Sequence, residues 1–553
     1  MQSSGLLLVL VASARVGFAC EKGLAGCNES IDGGLDDVIF LQTTLLKTRA
    51  KSELDRQNLS TASDGARRKL STHSDAVIKT PRSHSNAGSQ RLSSSSTEIC
   101  QDLENHGSYF SARVEVGMPK QAFDLVADTG SNSLIVPDCR CVLAGACNML
   151  QPCFDTIRSG SYALNTTESG LVPLVTLSFG SGDIDCIIAS DYVNVGPAQA
   201  YMKDGIFLTE SSLALEVDSS FQGILGMGLP ESDLGALLNH EFMVEAGISR
   251  FSLCFNGNIP GTLRMNMPPL ENPMTNIGRI HWGLDLQGMS VGSSSAPVLF
   301  CDPSNKMSFM ESACGAIPDS GTTLMEGPTE QINVLFAELC DAWPRCSRME
   351  EESGGMLKRD VFLQLISDCA DWLDESDEGI YEVPSVMVHL AGAEGVKQIA
   401  ELTAWSWVVE TDLPMLEQYK ERNAFTDRRG HSRRGNFIQK TTSDYYCMPM
   451  FASQDYVTDV NGPVWILGSP LFYDNTVSFD IGVSPVAIGI RPGPCYGCQP
   501  SLLASSDKQK PLLSSDDKKK PPSRLAGGVR RLARPLRRLT SFRSSSINRS
   551  RGF

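Results

Sequence analysis

Apolar and polar residues alternate with a period of two from Tyr109 to Gly117, the pattern of a half-buried strand. Apolar runs at Ala122 to Ala127 and Leu134 to Val136 predict two more strands. Gly and Pro punctuate the chain frequently through residue 330. Helical spacing is confined to Asp233 to Ala246, Glu330 to Trp343 and Leu357 to Trp372. The body from Cys100 onward is therefore predicted to be mainly β with scattered short helices. Thr411 to Lys440 is polar and charged and reads as a surface insertion.

Both ends of the chain lack this texture. Leu6 to Ala19 is apolar apart from Ser13, Arg15 and Gly17, too short for a membrane span, and resembles the apolar core of a signal peptide. Small residues at Gly17 and Ala19 allow cleavage before Cys20, which makes 1–19 the expected signal segment. No Lys or Arg precedes the run, so an anchor or buried segment is the alternative. Residues 20–98 are rich in Ser and polar residues, which bury too little apolar surface to offset chain entropy. They read as a pro-segment or disordered leader, and Arg67-Arg68-Lys69 as either a processing site or part of a flexible linker. Periodicity is lost again after Arg491, and 499–553 is a basic Ser/Pro/Lys/Arg-rich tail in which Pro535 interrupts any helix.

Composition sharpens this division. A chain of 553 residues with 41% hydrophobic and 20% charged residues suits a soluble protein of two or more lobes. The net charge of -16 splits unevenly: about +2 over 1–98, -29 over 99–498 and +11 over 499–553. An acidic body argues against nucleic acid as a partner. The tail is open to two readings, a solvated disordered segment or a peripheral contact with an anionic membrane or the acidic body. No other stretch reaches 18 apolar residues, so no transmembrane helix is predicted. The 17 Cys point to an oxidising compartment, and Asn28, Asn58, Asn165 and Asn548 sit in glycosylation sequons.

Two stretches repeat one chemical idea: Val126-Ala127-Asp128-Thr129-Gly130-Ser131 and Ala316-Ile317-Pro318-Asp319-Ser320-Gly321-Thr322-Thr323. Each has an apolar run ending in Asp, then a hydroxyl residue, Gly and another hydroxyl. One such stretch alone is a turn signal. Two copies 191 residues apart, about one lobe, make a pair of matched carboxylates the sharper reading.

With these stretches the chain resembles the pepsin-like aspartic proteases from about residue 105 to 491. Phe221-Gln222-Gly223-Ile224-Leu225-Gly226-Met227-Gly228 is similar to a family strand of the first lobe, and Trp465-Ile466-Leu467-Gly468 with Val477-Ser478-Phe479-Asp480 to its counterpart in the second. The double Thr after Gly321 is closer to the β-secretase-like branch. The resemblance implies a bilobal, mainly β fold with a cleft between an N-terminal lobe, 99–283, and a C-terminal lobe, 284–498. It implies catalytic roles for Asp128 and Asp319, which would share a proton because two close carboxylates cannot both ionise cheaply. Thr129, Gly130, Ser131, Ser320, Gly321 and Thr322 would support the dyad. Ile135, Phe179, Gly180, Ser181 and Thr323 would contact substrate. No metal or cofactor is implied. The expected partners are protein or peptide substrates, and a monomer is the expected state.

The chain departs from the family in three places. Phe179 stands where the flap hairpin usually has Tyr, and Ile135 where a Trp usually bonds that Tyr hydroxyl. Losing both strands neither partner and is expected to retune catalysis rather than abolish it. The two are expected to form an apolar wall. Pro318 removes a strand donor just before Asp319, so either the strand end tolerates it or Asp319 is displaced.

Fifteen Cys lie in the body, which leaves at least one unpaired or intermolecular thiol. Cys139, Cys141, Cys147 and Cys153 crowd after the first motif, where the family often has a small disulfide loop, with a zinc site as the alternative. Cys340, Cys346, Cys369 and Cys447 are bridge candidates, and Cys495 with Cys498 reads as a terminal disulfide. The combined expectation is an aspartic endopeptidase made as a precursor and most active in acid. It would work on the secretory route, either secreted or in an acidic lysosome- or vacuole-like compartment. A catalytically silent peptide-binding homologue is the alternative.

Overall fold

The computed structural model describes residues 13–15 and 97–498, apart from 148–151, 168–169, 213–220, 231–240, 258, 374–377, 412–415, 418 and 421–445. The basic cluster at 67–69, the sequons at 28, 58 and 548, the tail 499–553 and most of the expected signal segment and leader lie outside the described residues. Ser13–Arg15 forms a short strand that pairs antiparallel with Thr176–Ser178.

The alternating segment forms the strand Phe110–Val116, with Val114 and Val116 buried and Arg113 exposed between Ala112 and Val114. It pairs antiparallel with Gln121–Asp128, whose last four residues are all buried. That continuous apolar end has a topological cause. A third strand, Ile224–Gly226, lies parallel to Gln121–Asp128 and antiparallel to Leu134–Pro137, so it slots between the two arms of the loop that carries Asp128. A strand covered on both faces reads as an unbroken apolar run.

The second half repeats the device. Gly315–Pro318 pairs parallel with Gly462–Leu467, which pairs antiparallel with Met325–Gly327. The stretches singled out around Ile224 and Ile466 are thus the two inserted strands. Pro318 is the last residue of its strand, and the next amide, Asp319 N–H, donates to Leu467 O at 3.0 Å. The missing donor costs nothing that Asp319 does not recover, and the aspartate stays in line.

Two large sheets carry these loops. One runs from the hairpin Leu174–Phe179 and Gly182–Val195 through Gln121–Asp128 to Ile99–Asn105, Gly261–Met265, Arg250–Cys254, Asn475–Asp480 and Ala487–Pro492. The other orders Lys397–Leu402, Val386–Ala391, Leu284–Val291, Gly315–Pro318, Gly462–Leu467, Met325–Gly327 and Phe451–Ser453. The architecture is the mainly β, bilobal one anticipated. C-terminal strands close the first sheet, because Phe251 and Phe479 pair across it with rings 5.0 Å apart.

Helices Thr329–Ala342 and Lys358–Ser367 match two predicted helices, and the rings of Phe336 and Phe362 meet at 5.1 Å between them. Of the third, only Phe242–Glu245 is helical among the described residues. The insertion is not wholly superficial. Leu416 and Tyr419 are buried, and the Tyr419 hydroxyl donates to Phe451 O at 2.8 Å, so an apolar foot is hidden in a polar segment.

The cysteines resolve into seven disulfides among the described residues. Cys139–Cys153 and Cys141–Cys147 take the crowded four, which are therefore not zinc ligands. Cys340–Cys346, Cys369–Cys447 and Cys301–Cys314 lie in the second half. The terminal Cys495–Cys498 pairing is overturned. Cys498 bonds Cys100 and Cys495 bonds Cys254, because sheet pairing brings the chain end beside its first strands. Among the described residues Cys186 is the free thiol, and it is buried.

Candidate active site

Asp128 ends the strand Gln121–Asp128, Asp319 directly follows Gly315–Pro318, and the two, each fully buried, meet where their loops pack together. Each carboxylate abuts the glycine of the other loop, so the two acids feel each other's charge. Each is held the same way. Gly130 N–H donates to Asp128 Oδ1 at 2.8 Å, and the Ser131 hydroxyl donates to Asp128 Oδ2. Gly321 N–H donates to Asp319 Oδ1 at 2.8 Å, and the Thr322 hydroxyl donates to Asp319 Oδ2 at 2.7 Å.

The loops are also bolted to each other. Thr129 N–H donates to Ser320 Oγ, and Ser320 N–H to Thr129 Oγ1, both at 3.0 Å. The same hydroxyls then donate outward, Thr129 to Pro318 O at 2.9 Å and Ser320 to Ala127 O at 2.7 Å. Both amides and both hydroxyls of this buried pair are satisfied, which helps a polar network rigidify rather than destabilise. Close approach demands glycine: a Cβ on Gly130 would overlap the Asp319 carboxylate, and one on Gly321 would overlap that of Asp128.

Burial is the largest influence on both acids and lifts both above the ordinary carboxylate range. For Asp128 the neighbouring Asp319 charge adds to the lift, and the Ser131 and Gly130 hydrogen bonds oppose it. For Asp319 the Thr322 hydroxyl and Gly321 amide oppose it. Two acids so placed favour sharing a proton over ionising together.

The hairpin turn Gly180-Ser181 joins Phe179 to Gly182. Phe179 and Ile135 belong to one buried cluster with Tyr109, Val126, Phe207, Phe221 and Ile224. Ser181 Oγ has no hydrogen-bond partner. Thr323 is 1% exposed and its hydroxyl donates to Ser108 O at 2.7 Å, so it ties the second loop to the first lobe.

Reading the motifs missed Glu326. It is the seventh residue after Asp319, as Ile135 is after Asp128, and counting along both motifs could have found it. Glu326 is buried, and burial first, then the Asp319 charge, push its carboxyl up to about 8. His281, whose Nδ1 lies 3.0 Å from Gly130 O, was also missed, since a lone His carries no motif.

Two buried, closely placed aspartates on matched loops are the arrangement of an aspartic-protease type of site. The comparisons agree. The family model for eukaryotic aspartyl protease matches residues 108–255, which include the Asp128 loop. The chain is 29% identical over 262 residues to "Aspartic proteinase A1" of Arabidopsis thaliana, covering 44% of this chain and 48% of that protein. It is 27% identical over 269 residues to renin of Canis lupus familiaris, covering 45% and 61%, and 29% identical over 238 residues to napsin-A of Mus musculus, covering 40% and 52%. The chain spans about half the length of the curated relatives it matches. These matches support placing the chain with the pepsin-like aspartic proteases.

Proposed function

We propose that the protein is an aspartic endopeptidase that hydrolyses peptide bonds with a water activated by Asp128 and Asp319. The observation that carries this reading is the buried pair of aspartates, gripped symmetrically by Gly130, Ser131, Gly321 and Thr322. The ionised carboxylate takes a proton from the attacking water. The protonated one donates to the oxyanion that develops on the scissile carbonyl. The Thr129–Ser320 lattice keeps both groups in place through the step. No covalent acyl-enzyme forms.

Substrates are peptides with apolar side chains beside the scissile bond, because Phe179 and Ile135 make the nearby wall apolar. Gly180 and Ser181 at the hairpin turn close over the peptide. An acidic working pH suits a chemistry that needs the shared proton. The seven disulfides favour the secretory route, to the outside or to an acidic organelle. Synthesis as a precursor, a monomeric state and contact of the basic tail with an anionic surface complete the proposal. Among the described residues no helix is long and apolar enough to cross a membrane.

The test is cleavage of a peptide library at about pH 3–6 by the wild type, Asp128→Asn and Asp319→Asn. Activity in the wild type alone supports the proposal. Equal background in all three, with retained peptide binding, makes the protein a silent peptide-binding homologue, the reading that the missing Tyr and Trp favour.

A further inference from the structure

The Asp128 loop is held from outside by two consecutive residues, His281 and Trp282. His281 Nδ1 lies 3.0 Å from Gly130 O. A carbonyl oxygen only accepts, so Nδ1 carries the proton and donates. Burial lowers the proton affinity of this ring, which favours the neutral form with its lone pair on Nε2, and the bond to Gly130 O opposes that shift. Trp282, fully buried, donates its indole N–H to Met227 O at 3.1 Å. Met227 N–H in turn donates to Asp128 O at 2.6 Å. The two contacts therefore fasten backbone on both sides of Asp128, one through Gly130 and one through Met227.

The segment that delivers them is itself fixed. Ile277 N–H donates to Gly283 O at 2.9 Å, Gly283 N–H to Asn276 Oδ1 at 2.7 Å, and the Asn276 amide to Gly278 O at 2.8 Å. Gly278 is required there, since a Cβ would overlap His281 O. Asn276 N–H donates to Val486 O at 3.0 Å, anchoring this turn beside the strand Ala487–Pro492. The turn is a brace on one of the two loops.

We infer that His281 is a positioning residue for the proposed peptide hydrolysis, which holds the Asp128 loop by donating Nδ1–H to Gly130 O. Gly130 is the residue whose amide binds Asp128 Oδ1 and whose Cα abuts Asp319, so displacement of its carbonyl shifts both acids at once. The inference rests on the dyad being the reactive pair, and the experiment separates the two ideas.

The full chain is made with His281→Asn, which places an amide N–H where Nδ1 was, and with His281→Phe, which fills the space without a donor. Values of kcat and KM are measured on a cleaved peptide, and affinity for a statine-containing peptide by calorimetry. His281→Phe is expected to lose about tenfold in kcat with KM little changed, as removal of one hydrogen bond acting on the transition state implies. His281→Asn is expected to recover most of that loss, at equal thermal midpoints. Equal losses in both variants, or none in either, overturn the inference. If the wild type does not cleave, the proposed function has failed by itself. The nitrogen shifts of labelled His281 then decide the brace: the Nδ1–H tautomer supports it, and the Nε2–H tautomer overturns it.

Discussion

Gly130 lies directly against the Asp319 carboxylate, so that a methyl group on its Cα would overlap Oδ1, Oδ2 and Cγ of that side chain. The residue following one aspartate by two positions is thus the wall of the other. Gly130→Ala is expected to lower kcat/KM by about 100-fold, the scale set by a displacement of roughly 1 Å between reacting groups. Steady-state assays beside a melting curve check it. Wild-type activity in a folded Gly130→Ala variant would refute the close packing.

Thr129 and Ser320 exchange amide-to-hydroxyl bonds, so their substitutions should not add. Thr129→Val leaves Ser320 N–H without its acceptor, and Ser320→Ala leaves Thr129 N–H without its own. Each is expected to cost about 1–3 kcal/mol as an orphaned buried donor. A double-mutant cycle by urea unfolding is expected to show coupling of about 0.5–3 kcal/mol. Strict additivity would mean that the two loops are held independently.

Glu326 makes stability depend on pH in a defined direction. Its carboxyl is near 4.5 when unfolded and about 8 when folded. Between these values the folded state binds the proton and the unfolded state does not. The contribution is therefore fully present below pH 4.5 and is lost as pH rises through 8. Glu326→Gln is expected to leave stability unchanged at pH 4 and to raise it by a few kcal/mol at pH 8 or above. Melting temperatures across that range check it, and a variant that tracks the wild type at every pH would show Glu326 to be solvated.

Restoring the family's flap Tyr alone should not help. Phe179 sits in a buried cluster with Ile135, which stands in the place of the family's Trp and has no polar side-chain atom to offer a hydroxyl. Phe179→Tyr is expected to cost about 1–3 kcal/mol if its hydroxyl is left unpaired, or to gain nothing in kcat if the hydroxyl reaches water. A rise in kcat/KM of tenfold or more in the single variant would show that another partner replaces the Trp.

Cys186 is buried, and burial raises its thiol well above the ordinary range. The thiolate is the reactive form. Native protein treated with iodoacetamide at pH 8 is expected to show no label on the peptide containing Cys186, and full label after unfolding in guanidinium. Rapid native labelling would place that strand face in solvent.

Much of the frame was legible along the chain. Period-two alternation located Phe110–Val116, and unbroken apolar runs ending in Asp located the strands that carry Asp128 and Asp319. These are local signals, because backbone geometry alone sets which side chains share a face. Helices Thr329–Ala342 and Lys358–Ser367 were visible for the same reason.

What stayed hidden is long-range. Nothing near Cys495 says that its partner is Cys254 rather than Cys498, since pairing follows which strands share a sheet. Nothing near Leu416 or Tyr419 says that a polar insertion has a buried foot. The brace from His281 joins residues 151 positions apart. The sequence by itself determined the two carboxylates, their hydroxyl and glycine neighbours, and the strands that present them. Only the tertiary structure decided which of those neighbours grips its own aspartate and which crosses to the other. It also showed that Glu326 is buried near Asp319. Burial and proximity of charges are properties of the packed chain, and they set the proton affinity on which the proposed chemistry depends.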